Sequence, residues 1–236
     1  MNLTYQGIVI QTIKYSDNKL IIKLLCHNLG YKTCMVKTIK NKLGTSNSLF
    51  QPLRIIEFES DFQEINRFLS VKSARLATPL HNISMDPVKM AMVLFMNEIL
   101  AKTLADDYTN NGLFYFLKNS IILLDDAIDS KNFHVWWLIE ITRHYGFYPN
   151  NTPGVFFDLQ DGEFKNSRPL HPHYLQEESS ARLRQMLDLE WPQAQTEELH
   201  SAVRKELLQS LVTYLKLHLN SLREIKSLDV LHAVFH

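Results

Sequence analysis

The segment Lys14–Ile56, KYSDNKLIIKLLCHNLGYKTCMVKTIKNKLGTSNSLFQPLRII, decides how the amino-terminal part of this chain folds. Apolar and polar residues alternate in short runs rich in β-branched side chains, separated by the turn-forming groups Ser16-Asp17-Asn18 and Asn28-Leu29-Gly30. Extended outward, the pattern predicts strands at Tyr5–Ile13, Leu20–Cys26, Tyr31–Ile39 and Leu53–Phe58, with Phe62–Val71 as a fifth. A polar loop holding Lys40, Lys42 and Gly44 follows the third strand. Five short strands with a long connection after the third suit a small closed or partly open barrel of the OB type. An SH3-like barrel gives a similar pattern, and strand counting does not separate the two.

The charge of the same segment is as uneven as its hydropathy. Asp17 is its one carboxylate, against Lys14, Lys19, Lys23, Lys32, Lys37, Lys40, Lys42 and Arg54. The whole chain is neutral, with 25 basic and 25 acidic side chains in 236 residues. Residues 1–80 hold eleven Lys and Arg against five Asp and Glu, and the remainder fourteen against twenty. Lysines on strands are usually solvated surface or edge protection. Here no acid is interleaved over the 39 residues from Asn18 to Ile56, which favours a surface for a polyanion. Tyr15, Tyr31 and Phe50 are the local rings for stacking on bases.

Beyond Pro79 the apolar period changes from two to about 3.6. Asp86-Pro87 opens a helix that runs to about Leu104 and is apolar nearly all round. Further helices are expected from Asn111 or Gly112 to Ile128, from Phe133 to Tyr145 with a stop at Gly146, near Leu175–Leu187, and from Thr196 to about Leu222. Between them Gln160-Asp161-Gly162 flanked by apolar runs predicts a β-hairpin near 155–165. The expected architecture is therefore multidomain β plus α: an OB barrel over 1–80, then a helical domain over 81–236 with a small inserted hairpin.

The sequence carries little that suggests catalytic chemistry. Two cysteines argue against a disulfide framework or a four-thiolate metal site. His171-Pro172-His173 lacks further ligands at zinc spacing, and its bland reading is a proline-stiffened loop. Asp106-Asp107 and Asp125-Asp126 are sequence neighbours, which do not face each other on a helix. No glycine-rich phosphate loop is present. No enzyme, cofactor or metal is expected, nor a signal peptide or membrane span, and the protein is expected in the cytoplasm.

The order of these elements resembles the RecO family of bacterial DNA-repair and recombination mediators. Carrying the resemblance are Tyr15-Ser16-Asp17 with Leu20-Ile21-Ile22, then Leu29-Gly30-Tyr31 and Leu49-Phe50-Gln51-Pro52-Leu53. In the helical part the match is to Phe95–Leu100, Gly112-Leu113-Phe114, Gly146-Phe147-Tyr148-Pro149 and 157–164. Many members hold a four-cysteine zinc module around the hairpin; here Asn150–Gly154 stands where its ligands would begin, and no cysteine follows Pro149. Packing of Val155, Phe157 and Phe164 is expected to replace the metal.

The resemblance implies binding of single- and double-stranded DNA, annealing of complementary strands, and cooperation with RecR in loading RecA, in a nucleoid-associated protein. It also implies binding of the acidic carboxyl tail of single-stranded DNA-binding protein (SSB), with Lys131, Arg143 and His144 as candidate rim cations. The DNA-binding candidates are Lys14, Lys19, Lys23, Lys32, Lys37, Lys40, Lys42, Arg54 and Tyr31. An RNA-binding OB adaptor uses the same electrostatics and is the alternative; an enzyme using His171 or His173 is a third.

Overall fold

The computed structural model describes residues 3–37, 48–60, 69–105 and 109–235. Five strands, β1 (Leu3–Ser16), β2 (Lys19–Cys26), β3 (Gly30–Lys37), β4 (Ile55–Ser60) and β5 (Leu69–Leu76), close into a barrel in the order β1-β2-β3-β5-β4. β3 pairs with β5 in parallel, and every other pairing is antiparallel. Skipping from β3 to β5, with β4 returning between β5 and β1, is the Greek-key order of an OB barrel and rules out a simple meander. The interior is filled from alternate positions: Leu20, Ile22, Leu24 and Cys26 of β2, Cys34 and Val36 of β3, Ile56 and Phe58 of β4, Leu69 and Val71 of β5.

Several strand limits differ from the sequence expectation, β1 running Leu3–Ser16 rather than Tyr5–Ile13. β4 begins at Ile55 because Leu53 adopts a left-handed φ of 58°, which a strand does not tolerate, while its N–H still bonds Val9 O at 2.7 Å. β5 extends to Leu76, past the expected end at Val71; residues 61–68, where the expected strand begins, lie outside the described part.

The helices are α1 (Pro87–Thr103), α2 (Asn111–Asp126), α3 (Phe133–Tyr145), α4 (Glu177–Leu187), α5 (Trp191–Thr196), α6 (Ser201–His218) and α7 (Ser227–Val234); the hairpin is β6 (Phe156–Asp158) with β7 (Glu163–Lys165). Two compact units result, one of residues 1–125 with 227–234, the other of 126–226 with the last two residues. No described helix is long and apolar enough to cross a membrane.

In the first unit α1 is capped by Asp86, whose carboxylate accepts from Val88 N at 2.8 Å. It is buried on most sides, as its apolar circumference requires, with Met90 and Leu94 left exposed. Asp125 at the end of α2 accepts from the N–H groups of His81, Asn82 and Ile83 at 3.0, 2.9 and 2.7 Å. Burial alone would raise its pKa; the three amides, with the Lys89 ammonium, outweigh that and hold it below the usual carboxylate range. Lys89, itself buried, donates to Asp125 O at 2.8 Å. α7 attaches through Ser227, whose N–H and hydroxyl both donate to Glu98 at 2.7 and 2.6 Å.

The second unit is organised by aromatic contacts. Phe133, Trp136 and Trp191 pack with centroids 4.8 to 5.6 Å apart. Phe157 of β6 meets Phe164 of β7 and Tyr214 of α6 at 5.0 and 5.7 Å. Gly162 sits at φ 70°, and a Cβ there would fall 2.6 Å from the Tyr214 hydroxyl, so both conformation and space require glycine. Phe157 and Phe164 are buried as expected, but Val155 is 43% exposed and does not help hold the hairpin.

That part is taken by Arg184 of α4, a residue with no local sequence signal for the role. Its guanidinium donates to Asn151 Oδ1, Thr152 O and Gly154 O at 3.0, 3.0 and 2.9 Å and lies 3.9 Å from the centre of the Phe164 ring. The Thr152 hydroxyl completes the fastening, accepting from Phe164 N at 2.9 Å and donating to Phe164 O at 3.0 Å. The 150–154 segment offers no thiolate for a zinc ion; a planar cation gathers its carbonyls instead.

Candidate nucleic-acid interface

The register of β1, β2 and β3 fixes which residues share the barrel's outer surface. Strand-to-strand partners lie side by side on one face, and successive same-face rows are about 6.8 Å apart along the strands. The first outer row, Ile8–Leu25–Tyr31, is fully buried. Beside it α2 is latched to the barrel by Lys118 to Gln6 (3.0 Å), Asn111 to Asn28 (2.8 Å) and Tyr115 to His27 (2.8 Å). The next rows are Gln11–Lys23–Thr33, then Ile13–Ile21–Met35, then Ser16–Lys19–Lys37. All three are at least partly open to solvent.

Lys19, Lys23 and Lys37 are thus brought onto one face. Lys19 and Lys37 stand directly opposite each other on adjacent strands, an arrangement that costs stability for like charges. Neither has a carboxylate partner among the described residues. Lys23 lies two rows away, its ammonium 5.7 Å from the centre of the Tyr31 ring.

The other candidates fall elsewhere. Lys14 is paired with Asp17 at 3.3 Å and is registered with Leu20, on the row opposite to the three lysines. Lys32 is registered with Leu24, an interior position. Its charge reaches the two thiols inside: burial pushes Cys34 up to about 12 and Cys26 well above the usual thiol value, and Lys32 only partly offsets this. Such thiols are poor nucleophiles. Arg54 bonds Gln51 Oε1 at 3.5 Å and lines a cleft of about 350 Å3 with Pro52, Leu53, Ile83, Met90 and Leu94. Lys40 and Lys42 lie outside the described residues. Tyr31 is 2% exposed, so its ring is closed to a base; the open ring is Tyr15, 62% exposed at the β1–β2 hairpin.

In the helical unit, Lys131 pairs with Asp129 at 2.8 Å before α3, whereas Arg143 and His144 are in its last turn. These two ends are about 18 Å apart along a helix, so the three candidates do not converge. Arg143 pairs with Glu140 at 3.0 Å and stacks 3.4 Å over Tyr148. Burial, and then Arg143, lower the pKa of His144. His171 and His173 fasten a loop: His171 Nε2 meets Asp158 Oδ2 at 3.1 Å, and the His173 carbonyl accepts from Leu159 N at 3.0 Å. Among the described residues no three His, Cys, Asp or Glu side chains are grouped to hold a metal ion.

Family models support one reading of this arrangement. "Recombination protein O N terminal" matches residues 1–79 and "Recombination protein O C terminal" residues 84–229. A protein of Flavobacterium psychrophilum named DNA repair protein RecO is 33% identical over 240 residues, covering all of both chains. A Bacteroides fragilis protein of the same name is 33% identical over 97% of each, and one of Azobacteroides pseudotrichonymphae 30% identical over 98% of each. Among solved structures, an asparaginyl-tRNA synthetase of Entamoeba histolytica aligns with TM-score 0.28 and 10% identity over 66% of this chain and 35% of its own, too loosely to bear on fold or function. With the barrel, the hairpin and helices α1–α6 inside the matched ranges, and relatives matched over 97% or more of both chains, the chain belongs to the RecO family.

Proposed function

We propose that this chain is a DNA-repair mediator that binds single- and double-stranded DNA on the outer face of β1–β3 and brings complementary strands together without covalent chemistry. The observation that carries the reading is the Lys19–Lys37 pair, two lysines directly opposite each other on adjacent strands, neither with a carboxylate partner among the described residues. A phosphate bound there converts a repulsive pair into a bridged one, and Lys23 continues the track. Contacts of this kind ignore base identity, so two strands are screened from each other while their edges remain free to pair. The names of the relatives, all DNA repair proteins, point the same way.

The mediator role includes work with RecR to load RecA on strands coated by SSB. The helical unit is the place in this reading for the acidic SSB tail. A tail meeting Lys131 as well as Arg143 has to run along the full length of α3.

The test is annealing of labelled complementary DNA oligonucleotides, with equal-length RNA strands as competitor. Acceleration over the spontaneous rate is expected, with RNA competing less well than DNA. No acceleration, together with preferential RNA binding, would replace this reading by an RNA adaptor.

A further inference from the structure

We propose that the cross-strand row Ile13–Ile21–Met35 is a platform for unpaired bases and makes the barrel face discriminate single strands from duplex. The inference rests on the DNA-binding reading above and adds what the lysines do not supply. These three side chains are direct neighbours across β1, β2 and β3. They lie between the Lys23 row and the Lys19–Lys37 row, each about 6.8 Å away. The same three strands carry a second apolar row, Ile8–Leu25–Tyr31, which is fully buried. The Ile13 row is left open, with Ile13 42% exposed and Ile21 and Met35 half-buried. An aliphatic strip bordered by cations on both sides fits a ligand that is apolar on its face and anionic at its edges. An unpaired nucleotide has that form.

Duplex DNA presents the same phosphates, but its base faces are stacked inside. The lysines therefore serve both forms, and the aliphatic row contributes only to the unpaired one. No ring belongs to the row; Tyr15, at the hairpin end, is the nearest exposed aromatic in sequence. Contact with Ile and Met lacks the quadrupole and shape preferences of ring stacking. Bases are held with little regard to identity and released readily to a complementary strand.

The experiment compares Ile13→Thr/Ile21→Thr/Met35→Gln with the wild type, threonine being chosen to keep the strands. Binding of a single-stranded oligonucleotide and of a duplex is followed over a salt series. Single-strand affinity is expected to fall about tenfold with an unchanged salt slope, duplex affinity to change less than about twofold. Equal loss for both forms, or no loss for either, would overturn the proposal. A strand of abasic deoxyribose phosphates supplies a second arm that needs no variant. It should bind the wild type about as weakly as the normal strand binds the triple variant; normal affinity for it would also overturn the proposal. Lys19→Gln/Lys23→Gln/Lys37→Gln is measured alongside. If it weakens binding and the aliphatic variant does not, the row is dismissed and the DNA-binding reading stands; if neither variant nor the abasic strand has an effect, that reading falls as well.

Discussion

Replacing Lys19, Lys23 and Lys37 together by glutamine is expected to weaken single-strand binding about a hundredfold near 0.1 M salt and to reduce the magnitude of the salt slope by about two. Each phosphate neutralised on a single strand contributes about 0.7 to that slope, and the register places these three ammonium groups on one face. Fluorescence anisotropy between roughly 0.05 and 0.3 M salt reads affinity and slope from the same titrations. Lys32→Gln is the internal comparison. Its position in register with Leu24 turns it away from that face, so it should change the slope by much less. Equal effects of Lys32→Gln and the triple variant would shift the contact surface to the mouth of the barrel.

The largest expected effect on stability is at Arg184. Truncation to alanine removes three hydrogen bonds and a ring contact, leaving the carbonyls of Thr152 and Gly154 without their donor. Unfolding free energy should fall by about 3 kcal/mol. Arg184→Lys should recover little, because a point charge does not span two carbonyls and an amide as a planar fork does. Urea denaturation checks both. The DNA salt slope of Arg184→Ala, measured below its unfolding transition, should equal that of the wild type; a changed slope would make Arg184 part of the binding surface.

The residues that were easiest to read are those where local chemistry and packing agree. Alternation in β2 and β3, the Asp-Gly turn of the hairpin, and Gly146 closing α3 at φ 84° were all legible. The expected helix Thr196–Leu222 is instead divided: α5 ends at Thr196, α6 spans Ser201–His218, and extended backbone lies between them at Glu197. Leu199 and Leu222 fit the helical stripe and are buried, but they belong to the flanking connections, so periodicity alone overran both ends. α5 and α7 are short, and their packing partners are distant in sequence. The contacts of Arg184 were illegible for the same reason, since its carbonyl acceptors lie thirty or more residues earlier.

The face of the barrel was hidden by one irregularity. Between Val9 and Gln11 the pairing of β1 with β2 shifts. Val9 therefore points into the core while Ile13, four residues on, shares the outer row with Ile21. Simple alternation sends both residues to the same side. Composition showed that the segment is basic; only the register sorts Lys19, Lys23 and Lys37 from Lys14 and Lys32.

Protection of lysines from acetylation, read by mass spectrometry with and without a saturating single-stranded oligonucleotide, tests whether the β1–β3 face holds the strand. Strong protection is expected at Lys19, Lys23 and Lys37, with unchanged labelling at Lys131 and at Lys205 of α6. Unchanged labelling of the three barrel lysines under saturation, with protection confined to the helical unit, would contradict it.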